Sequence, residues 1–259
     1  MNQTLEIGAT GMQAQQLRTD NIANNMANVN TTAFKKGVVS FQDMLYNTYA
    51  APGASSSKSN MPTGVQLGTG VRLEAARKDF SQGSMVSSTN DLDMAVEGEG
   101  FFQVTMPDGT TNYTRAGNFI MDSTGIVMTN EGNPILGFPT LDTNASTITI
   151  TEDGTVSVYV NGASVTKGRI QLARIPNPEG MNYLGHNLYQ ITEASGNAIT
   201  GNPASSNFGS ISQYYLENSN VEIVSEMVNL IAAQRAYEMN SKSVKAGEDM
   251  LRTAANLFN

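Results

Sequence analysis

The two ends of the chain share one pattern of apolar positions, and the middle has another. From Met1, steps of four and three residues land on Leu5, Gly8, Met12, Gln15, Thr19, Ile22, Met26 and Val29. This spacing predicts a helix over the first thirty or so residues, with a heptad seam that is apolar at both ends and weak at its centre. Thr31-Thr32 ends the pattern, and Phe34-Lys-Lys-Gly37 marks a break. Over the last forty residues the same steps give Ile223, Met227, Leu230, Gln234, Tyr237, Ser241, Val244, Glu248, Leu251, Ala255 and Phe258. A second stripe runs through Ala236, Met239, Ala246, Met250 and Leu257, and Val224, Val228 and Ile231 widen the apolar surface near the start. Ser219 followed by Glu222 reads as a capping box, which predicts one helix of about 37 residues, roughly 55 Å long.

Between these ends, from about 62 to 218, short apolar and polar residues alternate as in strands. The clearest segment is Thr147 to Val160. A two-residue turn at Asp153-Gly154 would set Ile150 against Ser157 and mismatch the apolar faces. A three-residue loop of Glu152-Asp153-Gly154, with Gly154 left-handed, sets Ile150 against Val156 and Ile148 against Val158. At Asn161-Gly162 a type I′ turn sets Val158 against Val165, and the change of apolar phase towards Ile170 and Leu172 predicts a bulge at Gly168. The expectation is an antiparallel meander or small barrel. Residues 46–64 are rich in Ser, Pro and Gly, and composition alone reads them as a linker or an extended arm.

The first helix cannot stand alone. Its six apolar seam residues offer about 9–18 kcal/mol if fully buried. Ordering thirty residues of backbone costs on the order of 30–60 kcal/mol before helical hydrogen bonds are credited. The two end helices are therefore expected to meet, with helices of further copies completing the burial. An intramolecular pair closing the β-domain like a handle is the other arrangement that periodicity allows. Asn21, Asn24, Asn25 and Asn28 share one amide-rich face of the first helix. That face is either solvated in a lone chain or bonded between copies, and the second is favoured because buried amides fix register.

Composition narrows the chemistry. Charged residues make up 15% of the 259, against roughly a quarter in an average soluble domain, with 27 Asn and 24 Gly in their place. No Cys and a single His, His186, exclude thiolate metal sites, multi-histidine centres and a cysteine nucleophile, so no cofactor is expected. A net charge of −8 and no basic stripe argue against nucleic acid. No apolar run is long enough to span a membrane. Glu6 and the lack of Lys or Arg before Arg18 are unlike a cleaved secretion signal. Asp91, Asp93, Glu97 and Glu99 form the densest carboxylate cluster, which a wall-acting hydrolase could use as acid and base. An alternating strand shares them on one face only if no bulge intervenes, and Gly98 and Gly100 favour one. Gly98-x-Gly100 lacks the third Gly and the helix of a dinucleotide fingerprint. The expectation is no enzyme; a carbohydrate-binding β-domain is the other reading outside assembly.

Ala23-Asn-Asn-Met-Ala-Asn-Val-Asn-Thr-Thr-Ala-Phe-Lys35 resembles the N-terminal signature of the bacterial flagellar rod and hook proteins, with Met26 for the usual Leu and Ala33 for the usual Gly. Gly98-Glu-Gly-Phe-Phe-Gln-Val104, Tyr113-Thr-Arg-Ala-Gly-Asn-Phe119 and Met227 to Lys242 resemble its central and C-terminal motifs. Within the family, Tyr46 to Val71 is similar to the extra segment of distal rod members rather than of proximal rod or hook subunits. The resemblance implies an α+β fold. Discontinuous terminal helices, 1–33 and 219–259, would form a coiled-coil-like assembly layer. A connecting region, 34–90 and 196–218, would carry an extended arm at 46–64, and 91–195 an outer antiparallel β-domain. It implies a homopolymeric tube, enclosing an export channel, that carries torque from motor to hook through peptidoglycan and the outer-ring bushing. The partners implied are proximal rod proteins, the hook protein and the type III export apparatus. Phe41-Gln-Asp-Met-Leu45 fits a short pattern that such proteins present to the export gate. Leu5, Met12, Ile22, Met26, Val29, Ile223, Met227, Leu230, Tyr237, Val244, Leu251 and Phe258 are the assembly positions implied.

Overall fold

The computed structural model describes residues 2–50, 55–56, 59–60, 64–144, 147–160, 162–205 and 207–257. The chain divides into two compact units, one of residues 1–27, 37–77 and 222–259, the other of 28–36 and 78–221. Two helices and many antiparallel strands make it an α+β protein.

The first unit holds both helices, α1 (Asn2–Ala27) and α2 (Ile223–Leu257). They pack antiparallel through a row of small and amide residues. A Cβ at Gly8 would lie 2.4 Å from Val244 Cγ2, one at Gly11 would lie 2.8 Å from Asn240 Nδ2, and Gly247 faces Leu5. Close backbone approach, rather than a seam of large apolar knobs, brings these helices together. Both helices differ from the expected bounds. α1 stops at Ala27 because the chain turns there, with Thr31 N–H donating to Asn28 O at 3.1 Å and Thr31 Oγ1 to Asn28 Oδ1 at 3.2 Å. At the start of α2 the capping box does not form. Ser219 Oγ accepts from Val221 N at 3.3 Å, and Glu222 accepts from Ser225 Oγ at 2.8 Å, so the helix begins at Ile223.

The rest of this unit is extended. Strand Gly37–Asp43 pairs with Val71–Lys78, and Tyr46–Ala50 pairs antiparallel with Val65–Gly68. The linker reading is thus corrected for 46–50. Backbone hydrogen bonding to 65–68 orders this stretch although Tyr46 and Tyr49 stay exposed. Gln3 Nε2 of α1 donates to Gly68 O at 3.3 Å, tying the hairpin to the helix. Residues 51–54, 57–58 and 61–63 of the arm lie outside the described residues.

The second unit carries the core. The hairpin register follows the apolar faces. Ile148 opposes Val158, Ile150 opposes Val156, and Gly154 is left-handed at φ 79°. Val158 opposes Val165, and the register slips between Val156 and Ser157, opposite Gly168, where the bulge was expected. Asn161, half of the expected turn, lies outside the described residues. Gln213 acts as a surrogate strand at the edge of this sheet. Its Nε2 donates to Ile148 O at 2.9 Å and its Oε1 accepts from Ile150 N at 2.8 Å.

The meander expectation fails further out. Met94–Glu97 pairs with Ser210–Gln213, and Met85–Ser87 with Tyr215–Glu217, so segments over a hundred residues apart close the unit. A four-stranded sheet runs in the order Asn182–Gly185, Leu188–Gln190, Thr111–Thr114, Phe102–Thr105. One apolar cluster gathers Met94, Val96, Phe102, Phe119, Val156, Val158, Ile170, Leu172 and Ile211. A second joins Phe101, Tyr113, Ile175, Met181 and Tyr189, with Phe80 edge-on to Phe101 and Tyr189.

Candidate functional site

In a chain whose pattern points to assembly, the functional site is the surface left open to other chains. On α2, the residues turned towards α1 are Glu226, Leu230, Ala233, Asn240, Val244, Gly247 and Leu251, which are buried or half-buried. Beside them Ile223, Val224, Met227, Val228 and Ile231 form a contiguous stripe, with Val224 68% and Val228 61% exposed. Further along the helix Tyr237 is exposed to one side of this stripe, and Met239 and Met250 to the other. Positions 223, 224, 227, 228 and 231 are one helical face, so a single flat partner can cover all of them. Leu230, Val244 and Leu251 therefore serve the pairing within the chain, while Ile223, Met227 and Tyr237 stand open. Phe258 lies outside the described residues.

On α1, Ile22 is buried and Leu5, Met12 and Met26 are half-buried. Val29 falls beyond the helix, in the turn that ends it, which corrects its place on the seam. The amide face also divides. Asn25 is 1% exposed and brackets one peptide group: its Oδ1 accepts from Gly37 N at 2.8 Å and its Nδ2 donates to Gly37 O at 2.9 Å. The same Nδ2 lies 3.3 Å from Asn21 Oδ1 and 3.4 Å from Glu226 Oε2. Asn25 is saturated inside its own chain and is withdrawn from any face offered to a neighbour. Asn24 is exposed, and Asn28 sits past the helix end. Phe41 is half-buried in strand Gly37–Asp43, and Leu45, 89% exposed, follows it with its carbonyl held by Thr69 Oγ1 at 2.7 Å.

The second unit contains a charged knot that periodicity could not reveal. Lys35 Nζ donates to Glu217 Oε1 at 2.6 Å and to Ser81 O at 2.7 Å, and neither charged side chain is exposed. Gly83 N also donates to Glu217 Oε1, at 2.9 Å, and Arg115 Nη1 stands 3.7 Å from Glu217 Oε2. Burial pushes the Lys35 ammonium below its ordinary pKa, with Glu217 opposing the shift, and burial lowers Arg115 likewise. The available signal was a lone charge within each short motif, Lys35 after Phe34 and Arg115 after Tyr113-Thr114. Asn220 adds a clasp. Its Oδ1 accepts from Lys36 N at 2.7 Å, and its Nδ2 donates to Asp79 O at 2.9 Å and Ser81 O at 3.1 Å.

The carboxylate cluster divides: Glu97 and Glu99 line one open hollow with Arg174, while Asp91 and Asp93 are bonded elsewhere. Asp93 is buried, accepting from Ser88 Oγ at 2.5 Å and Asn90 Nδ2 at 3.0 Å. Asp91 accepts from Tyr214 OH at 3.2 Å, and Glu99 pairs with Arg174 at 2.7 Å. His186, left-handed at φ 53°, pairs with Glu131.

A long antiparallel terminal helix pair with an open apolar stripe has the character of a structural assembly subunit. Family models match at three places: "Flagella basal body rod protein" over 5–35, "Flagellar hook protein FlgE/F/G D1 domain" over 95–158, and "Flagellar basal body rod FlgEFG protein C-terminal" over 212–257. The chain is 42% identical to the flagellar basal-body rod protein FlgG of Buchnera aphidicola subsp. Schizaphis graminum, over 98% of this chain and 99% of that one. It is 41% identical to FlgG of Borreliella burgdorferi over 99% of both chains, and 33% identical to FlgF of Caulobacter vibrioides over 98% of this chain and 97% of that one. The chain belongs to the FlgG-like family of flagellar basal-body rod proteins, and is a structural subunit of the flagellar rod.

Proposed function

We propose that copies of this chain build the distal part of the rod as a stiff helical tube that carries torque from motor to hook and encloses the export channel. In this reading α1 and α2 form a coiled-coil-like layer around the channel. Ile223, Met227 and Tyr237 face neighbouring copies, Asn21 and Asn24 supply polar contacts, and the arm of 46–64 locks adjacent subunits. The β unit stands outside, towards peptidoglycan and the outer-ring bushing, and the tube joins proximal rod proteins to the hook protein. The chain crosses to the periplasm through the type III export apparatus, with Phe41 and Leu45 at the export gate.

The observation that carries the reading is the stripe from Ile223 to Ile231, an apolar face along α2 that a lone chain leaves in water. Identity to FlgG relatives reaches 43%, against 33% to FlgF of Caulobacter vibrioides, which favours the distal over the proximal rod. The test is complementation of a strain lacking its own FlgG, with electron microscopy of its basal bodies. Full-length rods and swimming are expected from this chain, and rods that stop short would overturn the reading. Rescue of a strain lacking FlgF instead would move the chain to the proximal rod.

A further inference from the structure

The second unit encloses a cavity of about 190 Å³ whose walls include Phe80, Phe101, Pro176 and Pro178, with Arg115 and Arg174. Arg115 is the unusual member. It is 6% exposed, its Nη1 donates to Val96 O at 3.0 Å and its Nη2 to Gly98 O at 2.5 Å, and its Nε has no hydrogen-bond partner. A buried guanidinium N–H left without an acceptor costs far more than an exposed one.

Charge around the cavity points the same way. Glu99 lines it too, but its carboxylate is taken up by Arg174 Nε at 2.7 Å. Behind Arg115, Glu217 gives its short bond to Lys35 and stands 3.7 Å from the guanidinium. The wall therefore carries two guanidinium groups and one carboxylate, with a neutral pair behind. Aromatic and proline faces beside a surplus positive charge suit an anion with a small apolar body, and guanidinium is the side chain best matched to carboxylate geometry.

We propose that this cavity is a binding site for a small carboxylate, with Arg115 and Arg174 as its cationic wall and Glu99 as an internal competitor for Arg174. A free short-chain acid and the terminal carboxylate of a peptide share that chemistry.

The test uses the full chain and propionate, reading the Arg115 Nε–H resonance and the equilibrium affinity. Saturable movement of that resonance is expected. Glu99→Gln, which removes the competitor at an exposed position, should tighten binding about tenfold, and Arg174→Gln should weaken it about tenfold. No saturable movement, or the same affinity in all three proteins, overturns the proposal. A pentapeptide with a free C-terminus, compared with its C-terminal amide, then identifies the source. Displacement of propionate by the acid alone assigns a chain end, and displacement by neither assigns a free small acid; both outcomes uphold the carboxylate site.

Discussion

The helical unit and the β unit solve the burial problem in opposite ways. In the β unit apolar side chains from distant strands enclose one another, and the charges taken inside, Lys35 and Arg115, gather around Glu217. In the helical unit the inner row mixes glycine, alanine and amide with Leu230, Val244 and Leu251, and the large apolar residues Val224, Met227, Val228 and Ile231 point outward. The β unit encloses its own core, whereas the helical unit has the composition of half an interface, with Val224, Val228 and Ile231 each more than half exposed.

The largest expected effect tests the first half of that contrast. Lys35→Met leaves Glu217 buried with Arg115 as its only ionic partner, and costs about 3–5 kcal/mol of stability. Thermal melts followed by tyrosine near-ultraviolet signal would register it, and a loss below about 1 kcal/mol would show that the β unit does not depend on its knot.

Next is Asn25→Ala, which strips both hydrogen bonds from the Gly37 peptide in the helical unit. A cost of about 2–3 kcal/mol is expected, with faster hydrogen exchange at the Gly37 amide. Unchanged exchange there would mean that the bracket is dispensable.

Ala33→Gly is subtler. Ala33 is buried at φ 56°, where a β-carbon costs about 1–2 kcal/mol, while its lost methyl burial returns about 0.8 kcal/mol. A net gain under about 1 kcal/mol is expected in denaturant melts, and a net loss would show that methyl packing outweighs backbone strain.

Val228→Asp reverses the emphasis. On an exposed position it should move monomer stability by under about 0.5 kcal/mol yet abolish tube formation seen by electron microscopy. Tubes from this variant would remove the stripe from the interface.

Acid gives the most local probe. Bonds from Thr151 and Thr155, with Arg169 adding charge, hold Asp153 down to about 2 from 3.8. A depressed carboxylate contributes its stabilisation in full above the unfolded value and loses it as pH falls through the folded one. The loop at 152–154 should therefore loosen only as pH drops from about 4 towards 2, and Thr151→Ala should raise the Asp153 midpoint in an NMR titration.

Local pattern made much of this legible. The strand pairing at 147–165 followed from matching apolar faces, the bulge at Gly168 from a phase change, and the helices from four-three spacing, because each depends on neighbours a few residues away. What stayed hidden depends on distant partners. Nothing near Lys35 announces Glu217, and nothing near Met94 announces Gln213. The Asn run shows why a shared face is an incomplete description. Asn25 differs from Asn24 only in facing the Gly37 peptide, which periodicity along α1 cannot contain. The linker reading from composition missed the pairing at 46–50 because Ser, Pro and Gly dominate the segment as a whole, whereas Tyr46 and Thr48 at its edge meet Gly68 and Gln66 in an extended stretch.

The Asn220 clasp has a mechanical meaning. Lys36, Asp79 and Asn220 lie at three of the places where the backbone enters or leaves the β unit, and the Asn220 side chain bonds the other two to its own segment. Tension arriving along any one of these strands is divided among the three before the strand pairs behind them are loaded. A pulling experiment should therefore find a single high-force event in which the crossings part together, and Asn220→Ala should replace it with a staircase of smaller ruptures.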